Sequence, residues 1–308
     1  MNIKRVLMTG FLMGLVIIAA GGLFAQKGKM IQIKGSDTLV NLVQILAEEY
    51  MDKNPGAMLA VMGGGSGTGI SGLINQTCDI ADHSREWKEK EFVQAREKGI
   101  QPRIFVIAVD GLSVIVHASN PVKKLTLAQL GAIYRGEITN WKAVGGPDKK
   151  ISLYGRQSNS GTYVFMQEFV LGDRNYSKDM KEMNGNAQII EGIAGDERGR
   201  RGDESGIGYV GVGYLYDASG QIRKGLKVVP IAKDDASPAF MPTDKAAVDS
   251  GDYPVARALY QSTNGKPSPA VAAFLKFEMS PEGQKIVARE GFFAISPKHI
   301  AENEKNLR

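Results

Sequence analysis

Four short segments gather serine, threonine and glycine in patterns that suit hydrogen bonding to a small anion. They are Gly35-Ser36-Asp37-Thr38, Gly63-Gly64-Gly65-Ser66-Gly67-Thr68-Gly69, Asp82-His83-Ser84-Arg85 and Arg156-Gln157-Ser158-Asn159-Ser160-Gly161-Thr162. Hydroxyls and backbone N–H groups donate to oxyanions, and Arg156 brings a charged, forked donor matched to a tetrahedral oxyanion. Each segment joins a strand-like run to a helix-like one. Such junctions lie at the carboxyl ends of parallel strands, where helix starts offer unpaired N–H groups and a positive dipole end. Any one of these hydroxyls could do no more than cap its helix. Four such loops, with Arg156 opening one of them, point instead to a site for a small oxyanion. The glycines of 63–69 carry a cost in backbone entropy, which suits a loop where a ligand or another backbone comes very close.

Other chemistries lack their residues. Gly67-x-Gly69-x-x-Gly72 has the form of a dinucleotide fingerprint, but it follows a strand that is not the first in the chain. No lysine lies between Gly63 and Asn75 to make a phosphate-cradling NTPase loop, and there is no Gly-x-Ser-x-Gly nucleophile elbow. His83, His117 and His299 are scattered without ligand spacing. His83 is read as a supporting or surface residue beside the site, and Asp234-Asp235 as a solvated pair in a loop. The expectation is therefore no catalytic residue, no metal and no organic cofactor.

Strand-like and helix-like runs alternate, which argues for βαβ units and parallel sheets. Strands are expected at 30–33, 58–62, 79–81, 104–109 and 112–116, and helices at 39–51, 69–75 and 88–98. After a polar turn at Ser119-Asn120-Pro121 the pattern restarts. Helices are expected at 126–134 (capped by Thr126) and 162–171, and strands at 151–154, 207–212 and 226–231. Residues 172–186 read as a loop-rich stretch and 195–206 as a glycine-rich, charged run on the surface. Helices at 269–279 and 281–290 follow, capped by Ser268 and Ser280. With a return crossing near 233–242, the reading is two α/β lobes: 26–115 plus 240–308, and 116–239.

Composition narrows the class further. Lys4 and Arg5 precede an apolar run over 6–20 and small residues up to Ala25, the layout of a secretory signal peptide cut after Ala25. Leu23 is not ideal at the −3 position of that cut. Removing Lys4 and Arg5 lowers the formal charge from +5 to +3, and no basic run alternates with aromatics, so nucleic acid is not an expected partner. The lone Cys78 cannot form an internal disulfide, so an exported chain would rely on its core. Apolar residues make up 43% of the chain, enough for that core.

The loops, together with Ile138-Thr139-Asn140-Trp141 and the ending Ser280-Pro281-Glu282-Gly283-Gln284-Lys285 through Gly291-Phe292, resemble those of the periplasmic phosphate-binding proteins of phosphate ABC importers. The similarity spans nearly all of residues 26–308. It implies a type II periplasmic-binding-protein fold: two lobes, each a mostly parallel sheet flanked by helices, joined by two crossovers and closing on dehydrated phosphate. It also implies roles for individual residues. Ser36, Asp37, Thr38 and Ser66 fall on donor positions, Arg156 on the phosphate-binding arginine, and Ser160, Gly161 and Thr162 on helix-start donors. Ser84 stands where some members carry an aspartate that accepts the proton of hydrogen phosphate, and Asp37 is a candidate to take over that task. The implied setting is a monomeric periplasmic receptor serving an inner-membrane permease and ATPase. The rival readings are a receptor for sulfate, molybdate or tungstate, a secreted phosphatase on the same scaffold, and a sensory or adhesion module.

Overall fold

Alternating burial makes the first strand. Ile31 and Ile33 enter apolar packing while Gln32 and Lys34 stay half-buried, so Ile31–Gly35 forms β1. The computed structural model describes residues 30–195 and 201–308; the leader expected over 1–25 lies outside them, as does part of the charged surface run expected at 195–206. α1 (Val40–Lys53) follows, burying Leu42, Val43, Leu46 and Ala47 on one face. β2 (Leu59–Met62), α2 (Ser66–Ile74), β3 (Ile80–His83), α3 (Glu89–Glu97) and β4 (Pro102–Gly111) continue the alternation. Only Leu112 separates β4 from β5 (Ser113–His117), which belongs to a second sheet. Next come β6 (Leu125–Thr126), α4 (Leu127–Tyr134), β7 (Ser152–Arg156), α5 (Gly161–Phe165), β8 (Lys181–Met183), α6 (Asn186–Ala194) and β9 (Gly206–Val210). β10 (Leu226–Val228), β11 (Ile231–Ala232), β12 (Ala239–Phe240) and α7 (Lys245–Ser250) complete this part. The chain returns through β13 (Ala256–Asn264) and ends in α8 (Pro269–Met279), α9 (Pro281–Arg289) and α10 (Pro297–Leu307).

The first sheet has the order β2-β1-β3-β13-β4 and the second β10-β5-β9-β7-β8. β1 pairs parallel with β2 and β3, while β13 runs antiparallel to both β3 and β4. β7 pairs parallel with β8 and β9, while β5 runs antiparallel to β9 and β10. Four of the five strands in each sheet thus share a direction, and the reversed one is the strand entering from the other lobe. The carboxyl ends of the shared-direction strands and the amino end of the reversed strand line one edge of each sheet. Those two edges carry the four loops.

The crossovers lie side by side, with the Leu112 N–H donating to the Val255 carbonyl at 3.0 Å. Ala247, Val248, Tyr253 and Val255 pack with Leu130, Trp141 and Tyr209 in the second lobe's core. The lobe limits expected at 115/116 and 239/240 therefore fall inside β5 and β12, whereas the strands change sheet at Leu112 and Val255. In the first lobe, Leu42, Leu46, Phe274 and Leu275 cover one face around Ile33 and Ile80, and Ile70, Leu73, Trp87 and Ala95 cover the other. Burying each of the leucine, isoleucine and phenylalanine side chains among these stabilises by about 1.5–3 kcal/mol.

The expected caps form. Thr126 accepts from Gln129 N at 3.2 Å, Ser268 from Val271 N at 3.4 Å and Ser280 from Gly283 N at 3.1 Å. Two helices differ from expectation. α2 begins at Ser66 instead of 69, and the helix expected over 162–171 is α5 followed by a π-turn, Met166–Val170. α6 occupies part of a stretch left without a helix, and β13 was not expected at all.

Candidate functional site

Ser36, Thr38, Ser66, Ser84, Arg156, Ser160 and Thr162 are all buried. Ser36 Oγ accepts from Thr38 N at 3.2 Å, which settles the turn between β1 and α1, and donates to Ser84 Oγ at 3.0 Å. Ser84 N donates to Ser66 Oγ at 3.0 Å, and the Ser66 and Ser84 hydroxyls lie 3.3 Å apart. Three loops of the first lobe thus form one cluster of hydroxyls. Ser160 caps α5 by accepting from Thr162 N at 3.2 Å and Tyr163 N at 3.4 Å. A capping hydroxyl uses its lone pairs and keeps its proton, so capping and donating to a ligand are compatible.

The second lobe closes directly on this cluster. A Cβ at Gly161 would lie 2.2 Å from Ser66 Oγ and 2.6 Å from Ser84 Oγ, so only glycine fits there. Thr38 Oγ1 lies 3.1 Å from Thr162 Oγ1 across the lobes. Asn159 spans them too, its carbonyl accepting from Gly67 N at 2.9 Å and its Nδ2 donating to the Gly64 carbonyl at 2.9 Å. Gly65 adopts φ +91°, and a Cβ on it would meet the Asn159 carbonyl at 2.7 Å. The glycines of 63–69 let the backbone of the facing lobe approach.

Arg156, at the end of β7, reaches over to Asp37. Its Nη2 pairs with Asp37 Oδ2 and donates to the Asn184 carbonyl at 2.9 Å, and Nε donates to the Met183 carbonyl at 3.3 Å. Asp37 Oδ1 accepts from Gly64 N at 2.8 Å. Its carbonyl accepts from Tyr214 Oη at 2.5 Å and Asn186 Nδ2 at 3.3 Å, both from the second lobe. Burial pushes the Tyr214 hydroxyl up to about 12, so it stays a donor at neutral pH. The Arg156 N–H donates to Tyr209 Oη at 3.1 Å, and Tyr209 to Tyr176 Oη at 3.3 Å.

β3 supports the site from behind. His83 is fully buried, which corrects its reading as a possible surface residue. Its Nδ1 faces the Arg85 carbonyl at 2.7 Å and its Nε2 the Ser262 hydroxyl at 2.7 Å. A carbonyl only accepts, so Nδ1 carries the proton and Nε2 accepts from Ser262. Burial holds this imidazole neutral, with its pKa lowered to about 4. Arg85 turns away to pair with Glu91 at 2.7 Å. Asp82 is also fully buried; burial raises its carboxyl to about 8 and pushes Glu278 well above the carboxylate range. Cys78 is buried, and burial raises its thiol to about 12, as suits an inert thiol. Among the described residues no group of three or more His, Cys, Asp or Glu side chains could hold a metal ion.

Nine residues expected to share a site thus lie within a few hydrogen bonds of one another, on loops from both lobes. A family model described as a PBP superfamily domain matches residues 24–282. The phosphate-binding protein PstS of Pseudomonas aeruginosa is 31% identical over 285 residues, covering 87% of this chain and 83% of that protein. This chain is a member of the PstS family. Among solved structures, a candidate phosphate ABC transporter substrate-binding protein from Clostridium perfringens, with phosphate bound, aligns at TM-score 0.73 and 28% identity, covering 87% of this chain and all of that one. An ABC-type phosphate transport receptor from Vibrio cholerae aligns at TM-score 0.66 and 27% identity, covering 86% and 100%.

Within this PstS architecture, sequence reading missed Arg257, Asp110, Asn159, Asn186 and Tyr214. Arg257 donates from Nη2 to Thr162 Oγ1 at 3.0 Å and to Thr38 Oγ1 at 3.4 Å. It lies on β13, where Arg257, Leu259 and Gln261 are buried alternate residues. Two of these three are polar, so the alternation that marks a half-buried strand is hidden. The pairing of Arg257 with Asp110 could be found only from the fold.

Proposed function

We propose that this protein is a non-catalytic, extracytoplasmic receptor that captures inorganic phosphate between its lobes and delivers it to an ABC importer. The observation that carries this reading is the convergence of Ser36, Thr38, Ser66 and Ser84 from one lobe with Arg156, Ser160, Gly161 and Thr162 from the other. Hydroxyls, α-helix starts and one guanidinium can replace the water around a tetrahedral dianion. An anion that draws donors from both lobes stabilises the closed arrangement by its differential contacts. The names of the relatives, which include phosphate-binding proteins and phosphate transport receptors, support the choice of ligand. The leader over residues 1–25 would send the chain to the periplasm and be cut after Ala25. There the chain acts as a monomer and presents its load to an inner-membrane permease driven by an ATPase. Among the described residues no group positioned as a base faces Ser66 or Ser160; His83 is turned to Arg85 and Ser262. This favours a receptor over a phosphatase.

Asp37 anchors Arg156 and, in this reading, also accepts the proton of hydrogen phosphate. Sulfate carries no proton at neutral pH and would set its lone pairs against that carboxylate. Competition titration of the chain from residue 26 with phosphate, sulfate and molybdate tests both claims. Phosphate should bind tightest, and Asp37→Asn should narrow its margin over sulfate. A tighter complex with sulfate or molybdate would overturn the ligand, and an unchanged margin in Asp37→Asn would remove Asp37 from selectivity.

A further inference from the structure

Arg257 and Asp110 face each other as direct partners across β13 and β4, next to the two crossovers. Their side chains are 4% and 0% exposed. Asp110 Oδ2 accepts from Arg257 Nε at 3.2 Å and Nη2 at 3.0 Å, and Oδ1 accepts from Val212 N at 2.9 Å, in the segment after β9. Arg257 Nη1 donates to the Ser84 carbonyl at 2.9 Å. Its guanidinium also lies 5.2 Å from the centre of the Phe165 ring. The pair thus joins groups from both sheets at the point where the chain passes between them.

Arg257 Nη2 has two N–H groups: with one turned to Asp110, the other is shared between two hydroxyls, Thr162 Oγ1 at 3.0 Å and Thr38 Oγ1 at 3.4 Å, one from each lobe. A hydroxyl has one proton, and an oxygen that accepts from a guanidinium must turn that proton elsewhere. Receiving a charged donor also polarises the hydroxyl, which strengthens the bond it donates in turn. Asp110 offsets the guanidinium's charge, so the contribution to the site is orientation of donors more than net charge. Thr162 and Val212 come from the second lobe, so the full set of contacts exists only when the lobes are together.

We propose that Arg257, held by Asp110, is a positioning residue of the anion site. It holds the hydrogen-bonded pair of Thr38 and Thr162 hydroxyls by their lone pairs, so that the one proton the pair does not use between its own oxygens is turned to the cleft, and it ties their alignment to the crossovers. This rests on the reading of the chain as a phosphate receptor.

The test is calorimetric titration of the chain from residue 26 with inorganic phosphate. Three variants are needed: Arg257→Lys, which keeps the charge beside Asp110 but loses the fork; Asp110→Asn with Arg257→Gln, which removes both charges together; and Thr162→Val. Arg257→Lys and the paired variant should each weaken binding at least tenfold while retaining a cooperative melt. In a Thr162→Val background, Arg257→Lys should cost less than half as much on a logarithmic scale, because its target hydroxyl is gone. A folded Arg257→Lys or paired variant that binds like the wild type would overturn the proposal. So would an Arg257→Lys penalty equally large with and without the Thr162 hydroxyl. A wild-type chain that fails to bind phosphate would instead bring down the receptor reading, and the proposal with it.

Discussion

Replacing Arg156 by alanine probes the charged donor of the site. Its side chain is only 2% exposed and two of its nitrogens are committed: Nε to the Met183 carbonyl, and Nη2 to Asp37 and the Asn184 carbonyl. Among the described residues Nη1 makes no hydrogen bond, which leaves its two N–H groups for the anion. Charge-assisted hydrogen bonds contribute about 1.5–3 kcal/mol each, so losing two costs about 3–6 kcal/mol. At about 1.4 kcal/mol per tenfold, that is a roughly 10²- to 10⁴-fold rise in the Kd for phosphate. The substitution also leaves the Asp37 carboxylate unpaired beside the incoming dianion, which pushes in the same direction. Calorimetric titration measures the change, and a thermal melt checks that the variant is folded. A folded Arg156→Ala chain whose Kd rises less than tenfold would refute the assignment of Arg156 as an anion ligand.

Two further outcomes follow from the packing. Gly161→Ala places a methyl group against the Ser66 and Ser84 hydroxyls of the facing lobe, at 2.2 and 2.6 Å. Phosphate affinity should fall at least tenfold, because the methyl group opposes the approach of the two lobes; an unaltered Kd would show that the lobes need not approach this closely. Stability should also depend on pH through Asp82, whose carboxyl burial raises from 3.8 to about 8. The folded chain then holds a proton that the unfolded chain has released, so stability falls as pH rises through this range. His83, with its pKa lowered from 6.5 to about 4, acts in the opposite sense, but only below about 6.5. Between pH 6.5 and 8 the urea midpoint should therefore drop, and Asp82→Asn should lessen the slope, the remainder coming from Glu278, whose carboxyl burial also raises; a flat wild-type profile would contradict the buried, protonated Asp82.

The loops that carry chemistry were legible because their residues declare themselves locally. Gly, Ser and Thr mark turns and caps, and an arginine among them stands out. The alternation of apolar runs likewise gave β1 through β5 and the helices between them. What stayed hidden was set by tertiary contacts. β13 buries Arg257 and Gln261 on the same face as Leu259, so its pattern lacks an apolar stripe. The short β11 and β12 exist through pairing with β6 and with each other, with no strong local signal of their own. The crossovers were misplaced for a related reason. Leu112 alone divides β4 from β5, and no polar linker marks the change of sheet. Asp37 was seen as a candidate ligand, but its pairing with Arg156 depends on two lobes that lie 119 residues apart in sequence at this contact.

The most direct measurement is a crystal structure of the chain from residue 26 grown with phosphate. The anion is expected within hydrogen-bond distance of Arg156 Nη1 and of hydroxyls from both lobes, among them Ser36 or Ser66 and Ser160 or Thr162. Phosphate held by one lobe alone, or bound away from Arg156, would contradict a site made by convergence of the two.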